Sequence, residues 1–403
     1  MFTELWTNDV NDDVNVVSII LSGTFQQVLQ CFLKGQPCLQ TAIHHPSFSI
    51  AKESPFTNTE KTDKEILKQV WKNDLKKCID ASPIVVGSMV VVGSHKGLIA
   101  AYDTESGSTL WETYLDNRIE ATAVASLDKE SFFVGTYGSS FYKVSISSGT
   151  VLWKNDDATD IIKAKAYVSQ NFACFGAYDG YLRKLTNLNG QMVWQVDISA
   201  SIIASIQSDN EENHVFCATL AGKVCKVDFQ YGRLKWVVAL DSPIFSNFII
   251  TGVYLVVCTV KGRVFNISTD TGDVLWNTSV TGHVFAPLTL CSDKIILSTK
   301  EGLISCIESR SGRALWTHHQ LLESVNAGAV ELPNENLFLI DVQAQYIIVD
   351  LHQGSLLQNG SLENIGQTFS SPVLFNNKII IGSRDDFLYC FALNEKTFNV
   401  SQS

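Results

Sequence analysis

The sequence predicts an all-β fold, a β-propeller of eight four-stranded blades, because one pattern recurs every 40 to 42 residues. Seven of the eight tryptophans keep this spacing, and a glycine lies four residues before each of the last six. Several short strands in each repeat of ~40–45 residues are typical of a propeller blade. The tryptophans are Trp71, Trp111, Trp153, Trp194, Trp236, Trp276 and Trp316, and the glycines are Gly107, Gly149, Gly190, Gly232, Gly272 and Gly312.

Residues 1–65 precede the repeat and predict an N-terminal extension with one helix and a linker. Thr24 and Gln27 form a capping box, and the apolar residues that follow fall on one helical face. This pattern predicts an amphipathic helix over about residues 24–34. The polar, proline-containing remainder is typical of a linker.

The first complete copy shows the four strands expected of each blade. A strand over 90–94 is followed by the turn 95–97 and a strand over 98–103. A hairpin loop whose glycine supplies a positive φ then leads to a strand over 109–112. The fourth strand precedes this set, over 81–86.

The two ends of the repeat predict that the termini close the ring. The eighth copy, 380–390, lacks its glycine–tryptophan strand, whereas the Trp71 strand has no preceding partners. The N-terminal strand therefore completes the C-terminal blade and leaves no open sheet edge. These features predict a monomeric propeller over 66–395 and a tail over 396–403.

Composition argues against several classes of partner and location. The chain has 30 basic and 41 acidic residues and a net charge of −11, whereas nucleic acids and anionic membranes attract clustered cations. No apolar run reaches the ~18 residues of a membrane span. The N-terminus lacks the features of a signal peptide, and the ten cysteines contain no C-x-x-C motif. We therefore expect a reduced, cytoplasmic protein.

The repeated tryptophans and glycines predict structural roles. A tryptophan at the same register of every copy favours an anchor between blades, since a ligand site would use one or two copies. The glycines are turn residues, because no phosphate-binding glycine motif occurs in the sequence. All thirteen residues named above are therefore predicted to dock blades, and none is assigned a catalytic, cofactor-binding or metal-binding role.

Other candidate sites are weaker. The pairs His44–His45 and His318–His319 are poor metal clamps, because adjacent side chains of a strand point to opposite faces. Loops at 94–96, 178–179 and 384–385 differ between copies and could build an asymmetric site near the channel. We expect each of them to be a solvated turn.

Two resemblances add to this interpretation. The pattern D-x-x-S-G-x-x-x-W, from Asp103 to Trp111, resembles the pyrroloquinoline-quinone-type (PQQ-like) propeller repeat. Segments 78–86, 116–120 and 369–390 also resemble the C-terminal propeller of the beta-alanine-activating enzyme family, a group of acyl-CoA synthetases.

The second resemblance implies a parent enzyme with an adenylating domain, a phosphopantetheine carrier domain and this propeller. Such an enzyme would use ATP, magnesium and phosphopantetheine to activate beta-alanine or another amino acid. The sequence has neither a nucleotide loop ending in lysine nor a G-G-x-S carrier serine, so no catalytic residue is carried over. The resemblance implies a C-terminal portion or short product of that enzyme, a non-catalytic module that binds a protein or a tethered carrier domain.

Two alternatives stay open. The chain could be a stand-alone interaction scaffold that has no connection with adenylation. It could also be a quinone-dependent dehydrogenase, but the vicinal cysteine pair and signal peptide that the resemblance to those enzymes would require do not occur in the sequence.

Overall fold

The structure is a computed structural model that describes residues 66–319 and 322–394. Within these ranges the chain forms 32 β-strands and one 3₁₀ turn, Pro333–Glu335. None of the helical structure described there could cross a membrane. The helix predicted over 24–34, the linker and the tail 396–403 lie outside the described residues.

The strands form eight antiparallel sheets of four strands each, which confirms the predicted eight-bladed all-β propeller. The outermost strand of the last blade comes first in the chain, and the other blades follow in order. The strands are β1 (Leu67–Asp74); blade 1, β2 (Ile84–Val86), β3 (Met89–Gly93), β4 (Leu98–Asp103), β5 (Thr109–Tyr114); blade 2, β6 (Val124–Ala125), β7 (Ser131–Gly135), β8 (Phe141–Ser145), β9 (Val151–Asn155); blade 3, β10 (Tyr167–Val168), β11 (Phe172–Gly176), β12 (Tyr181–Thr186), β13 (Met192–Asp197); blade 4, β14 (Gln207–Ser208), β15 (His214–Ala218), β16 (Lys223–Asp228), β17 (Leu234–Ala239); blade 5, β18 (Ile249–Thr251), β19 (Tyr254–Cys258), β20 (Arg263–Ser268), β21 (Val274–Ser279); blade 6, β22 (Thr289–Cys291), β23 (Lys294–Ser298), β24 (Ile304–Glu308), β25 (Ala314–His318); blade 7, β26 (Val330–Leu332), β27 (Asn336–Ile340), β28 (Gln345–Asp350), β29 (Leu356–Ser361); and blade 8, β30 (Val373–Phe375), β31 (Lys378–Gly382), β32 (Phe387–Leu393) with β1.

The two ends of the ring share blade 8, as the sequence predicts. Strand β1 pairs antiparallel with β32, from Leu67 opposite Leu393 to Asp74 opposite Phe387. Eight apolar clusters then fill the eight contacts between consecutive blades, including those between blades 7 and 8 and between blades 8 and 1. The first strands of neighbouring blades approach one another, as in β2 with β30 and β6 with β10, so these short strands surround the axis.

The innermost strands are shorter than the sequence predicts. The strand expected over 81–86 begins only at Ile84, and its counterpart in blade 8 begins at Val373. Pro83 lacks an N–H and cannot extend the pairing. The preceding residues bond to a neighbouring loop instead, as Ile79 does when its N–H donates to the carbonyl of Ser383 at 3.0 Å.

Each repeated tryptophan contacts the hairpin of the next blade. Trp111 is 9% exposed, and its Nε1 donates to the carbonyl of Ile146 at 2.7 Å. A Cβ added at Gly149, whose φ is +69°, would lie 2.5 Å from Cε3 of Trp111. The indole therefore needs a glycine beneath it. In five further copies the tryptophan Nε1 donates to the equivalent carbonyl. The pairs are Trp71–Thr104, Trp153–Asn187, Trp194–Phe229, Trp236–Thr269 and Trp316–Leu351.

Two copies depart from this contact. Trp276 lies against Gly312, but its buried Nε1 has no hydrogen-bond partner. The equivalent carbonyl, that of Ser309, accepts a hydrogen bond from Nδ2 of Asn266 at 3.2 Å. Gln358 replaces the tryptophan of blade 7, because its neighbour, blade 8, joins two chain termini at the place where other blades have a glycine hairpin.

Candidate functional site

One hydrogen bond repeats around the ring and builds its central face. The chain enters each blade through a segment that follows the last strand of the preceding blade. The loop between the second and third strands of the blade begins beside this entering segment. There the N–H of His95 donates to the carbonyl of Cys78 at 2.9 Å. The eight equivalent donors are His95, Tyr137, Tyr178, Leu220, Val260, Lys300, Val342 and Arg384.

The entering segments supply a second ring of side chains. Each contains a buried residue such as Ile119, whose Cβ would lie 2.7 Å from a Cβ added at Gly93. In every copy the N–H of this buried residue also donates to a loop carbonyl of the preceding blade, as from Ile119 to Ser94 at 3.0 Å, so the next residue takes the same place in each blade. The eight residues at this place are Asp80, Glu120, Lys163, Ile203, Phe245, Phe285, Asn326 and Phe369.

Charged members of the two rings meet across blades 8, 1 and 2. The Arg384 guanidinium donates to both oxygens of Asp80, from Nε at 2.8 Å and Nη2 at 2.7 Å. The two residues are 304 positions apart, and Arg384 also lies 3.6 Å over the ring of Phe369. Nε2 of His95 lies 3.3 Å from Asp80 and 3.2 Å from Glu120.

Glu120 is the most buried carboxylate of this network, with its side chain 7% exposed. Its Oε2 is 2.8 Å from Nζ of Lys163 and accepts a hydrogen bond from the Tyr137 hydroxyl at 2.6 Å. Its Oε1 is 3.3 Å from Nε of Arg118, which lies 3.9 Å over the Tyr137 ring. We call Asp80, His95, Arg118, Glu120, Tyr137, Lys163 and Arg384 the mouth network.

The charges of the mouth network stabilise one another. Burial raises the pKa of Asp80 and Glu120, but the hydrogen bonds and opposite charges around them outweigh it. The pKa of Asp80 is therefore lowered, and that of Glu120 lies well below its ordinary value. Burial lowers the pKa of His95, but its two carboxylate neighbours raise it above the usual range. Both carboxylates contact the same imidazole nitrogen, Nε2, without hydrogen-bond geometry, so they act on His95 through their charge.

Three residues of the mouth network also form the only possible three-residue metal site found in the described part of the chain. One ligand atom each of Asp80, His95 and Glu120 lies within 4.8 Å of the others. Arg384 already occupies both oxygens of Asp80, however, while Lys163 and Arg118 neutralise Glu120. A divalent cation would have to displace three cations from its own ligands. The arrangement therefore fits an ion-pair network and does not fit a metal centre.

The expectation that the loops at 94–96, 178–179 and 384–385 are solvated turns is wrong for four of their side chains, of which Ser94 is fully buried. His95 and Arg384 are 12% and 18% exposed, and both belong to the mouth network. Asp179 is 5% exposed and forms a two-bond ion pair with Arg183, which is 2% exposed. Side chains from the entering segments and the following strand cover these turns, which inspection of a single copy does not show.

Sequence reasoning did not single out Asp80, Arg118, Glu120 or Lys163. A signal was present, because the second ring changes from charged to aromatic between copies while the rest of the repeat keeps its register. Two segments that carry the family resemblance, 78–86 and 116–120, contain three of these residues. Comparing the copies at this one position marks Asp80, Glu120 and Lys163 as unusual, but it does not show that their charges meet.

The histidine pairs do not join the network. The ring of His318 is tilted by 45° against that of Trp316, with centroids 5.6 Å apart, and its Nε2 is buried without a hydrogen-bond partner. His319 follows it at the end of β25, and His44–His45 lies outside the described residues.

Replacement of Glu120 by glutamine tests the energy of the mouth network. Because Glu120→Gln leaves Lys163, Arg118 and His95 without their shared counter-charge, we expect a loss of about 2–4 kcal/mol in the free energy of unfolding at pH 7. The pKa of Glu120 is depressed in the folded state, so this contribution is present above about pH 4.5 and disappears as the pH falls through the folded pKa. Urea unfolding between pH 7 and pH 3 measures both effects. The exposed Glu130, replaced in the same way, is the control, and equal losses in the two variants would contradict the prediction.

Comparison with known protein families identifies the ring. The family model described as "Beta-alanine-activating enzyme, beta-propeller" matches residues 75–393. Beta-alanine-activating enzymes of Mus musculus and Drosophila melanogaster are 40% identical over 68 residues and 25% identical over 185 residues. These matches cover 15% and 44% of this chain but only 6% and 18% of the two enzymes.

Solved structures show the same architecture at low sequence identity. BamB from Moraxella catarrhalis superposes with a TM-score of 0.69 at 17% identity, over 81% of this chain and 100% of BamB. Sqt1 from Saccharomyces cerevisiae gives 0.69 at 11% identity, over 82% of this chain and 100% of Sqt1. These likenesses concern the fold alone, whereas the family model covers nearly all of the ring. The chain therefore belongs to the β-propeller family of beta-alanine-activating enzymes.

Proposed function

We propose that this chain is a non-catalytic propeller module of an ATP-dependent enzyme that activates beta-alanine or another amino acid. The observation that carries the proposal is the family match, which spans the ring from residue 75 to residue 393. In this proposal ATP, magnesium and phosphopantetheine act on the adenylating and carrier parts of the parent enzyme. The ring would work in the cytoplasm as a monomer.

The role we propose for the ring is to bind a protein or a carrier-tethered substrate at its central face. The mouth network supports this role, because it holds charged side chains in fixed positions. Arg118 and Lys163 are 27% and 24% exposed and so can meet an incoming partner. Rings of loops on a rigid scaffold are the usual place for such contacts.

Binding to a carrier domain tests the proposal. We expect the purified chain to bind the carrier domain of a beta-alanine-activating enzyme more tightly when its phosphopantetheine carries beta-alanine than when the arm is absent. Biolayer interferometry measures the two affinities, and a BamB propeller in place of this chain controls for nonspecific binding. We also expect no ATP–pyrophosphate exchange with beta-alanine from the chain alone.

Two results would contradict the proposal. Exchange activity in the isolated chain would show that the ring is not a non-catalytic module. Equal affinity for loaded and unarmed carrier domains, matched by BamB, would favour a stand-alone scaffold.

A further inference from the structure

The central face carries a charge opposite to that of the whole chain. Four places in each blade define this face: the loop ring, the second ring, and the residues two before and two after the second-ring residue. These places hold two carboxylates and five permanent cations, in a chain whose net charge is −11. The carboxylates are Asp80 and Glu120, and the cations are Arg118, Lys163, Lys165, Lys300 and Arg384. Such an excess of cations favours an anionic partner.

Lys165 and Lys300 are the two cations of this face that form no ion pair among the described residues, and Lys165 is the more exposed of the two. Lys163, two residues earlier, pairs with Glu120, whereas Lys165 forms no ion pair or side-chain hydrogen bond with residues 66–319 or 322–394. Its side chain is exposed, yet the surrounding protein lowers its pKa by desolvation alone. Residues at the same place in other blades bond from blade to blade around the axis, as the N–H of Ser205 does to Oδ1 of Asn247 at 3.2 Å, so Lys165 lies on the wall of the channel. An ammonium group in this setting is stabilised by an anion from outside the chain.

The other residues at the level of Lys165 are small and uncharged. The hydroxyl of Ser371 accepts a hydrogen bond from the N–H of Gly328 at 2.9 Å, and that of Ser82 accepts from the N–H of Ser371 at 3.1 Å. Each hydroxyl therefore keeps its own hydrogen available for another acceptor. The eight residues of this level are Ser82, Thr122, Lys165, Ser205, Asn247, Pro287, Gly328 and Ser371. The level thus offers one cation and several neutral hydrogen-bond donors, and it contains no carboxylate.

The mouth of the channel is apolar on the side of blades 4 to 6. The rings of Phe245 and Phe285 pack edge to face, with centroids 5.8 Å apart. Ile203, Leu220 and Val260 occupy the adjoining places in the two rings. A ligand whose anionic group reaches Lys165 would therefore pass an apolar surface at the entrance.

We propose that the channel binds a carboxylate attached to an apolar group, with Lys165 as its counter-ion. The hydroxyls of Ser82 and Ser371 would donate to the carboxylate, and Phe245 and Phe285 would contact the apolar group. A small free acid and the C-terminus of a peptide both have this chemistry. This inference goes beyond the proposed function, because a failure of carrier binding would leave it intact.

Calorimetric titration of the full chain tests the proposal with two acids and their neutral analogues. The probes are hexanoate against hexanamide, and N-acetylglycyl-phenylalanine against its C-terminal amide. We expect Lys165→Met to weaken binding of the preferred acid roughly tenfold or more, since one charge-assisted contact is lost. Lys165→Arg should keep the affinity within about threefold. Lys68→Met, at an exposed position of β1, is the matched control and should bind as the parent does.

The outcomes separate clearly. Preference for the free acid shows a small-molecule site, and preference for the peptide shows a site for a chain end, and either result supports the proposal when the amides bind weakly. Equal binding by parent and Lys165→Met, with unchanged melting curves, would overturn it. Equal affinity for acids and amides, or no binding of either acid at millimolar concentration, would also overturn it.

Discussion

A chain that begins at residue 75 is expected to lose the cooperative unfolding of the ring and to self-associate. The family match starts at this residue, but β1 ends at Asp74, so the shortened chain keeps blade 8 with only three strands. The truncation removes Ile66, Leu67 and Trp71, which are 2%, 4% and 8% exposed. Losing a buried side chain of this size costs about 2–5 kcal/mol, and the total stability of a domain is only about 5–15 kcal/mol. The free edge of β32 also offers unpaired backbone groups to other chains.

Calorimetry and size-exclusion chromatography measure this effect against a chain that begins at residue 64. The control loses nearly the same N-terminal portion but keeps β1, so we expect it to melt as the full chain does. A peptide of residues 64–74 added to the shortened chain should restore the transition, and the same peptide with Trp71→Ala should restore it less. A chain from residue 75 that is monomeric and melts at the parent temperature would refute the closure by β1.

Replacement of Trp111 is expected to have the next largest effect. Trp111→Ala removes an indole that is 9% exposed and stacked on Phe132 at 6.0 Å, so we expect a loss of about 3–5 kcal/mol. Trp111→Phe keeps an aromatic ring but leaves the carbonyl of Ile146 without its donor. We expect a smaller loss of about 1–2 kcal/mol for that variant. Denaturant unfolding measures both changes.

Trp276 provides a matched control for the hydrogen bond. Its Nε1 is buried without a partner, so Trp276→Phe removes no hydrogen bond and should cost less than Trp111→Phe. The glycine contact can be tested in the same series. Gly149→Ala should destabilise the parent strongly and the Trp111→Ala background less, because the clash with the indole is then gone, whereas the contact with Oγ1 of Thr113 at 2.8 Å and the φ of +69° remain in both. Additive effects of the two substitutions would show that the indole and the glycine do not interact.

The register of the repeat predicts backbone conformation as well as blade number. Gly97 and Gly180 have φ angles of +77° and +82° in the turn between the second and third strands. Ser139, Ala344 and Asp386 replace this glycine in three copies and adopt φ of +64°, +61° and +81°. The turn therefore keeps its shape where the glycine is absent, because the strands on either side fix it.

The lengths of the innermost strands were less predictable. Runs such as 81–86 contain enough apolar residues to suggest pairing throughout, but pairing requires a free N–H and a neighbouring strand. Pro83 lacks the first, as the sequence shows, and the loop of the preceding blade, blade 8, takes the N–H of Ile79. The proline and the positions of the neighbouring loops together decide where this strand begins.

The sequence by itself determined the number of blades, the order of their strands and the closure of the ring, because these properties depend on features that every copy shares. Only the tertiary structure decided the mouth network, because this site depends on how the copies differ. Asp80, Glu120, Lys163 and Arg384 come from four separate places in the chain, and closing the ring brings their charges within 2.7 to 3.3 Å of their partners. The periodic pattern gives the position of each residue within its blade. It does not show which charges face one another, because electrostatic attraction depends on distances in the folded ring.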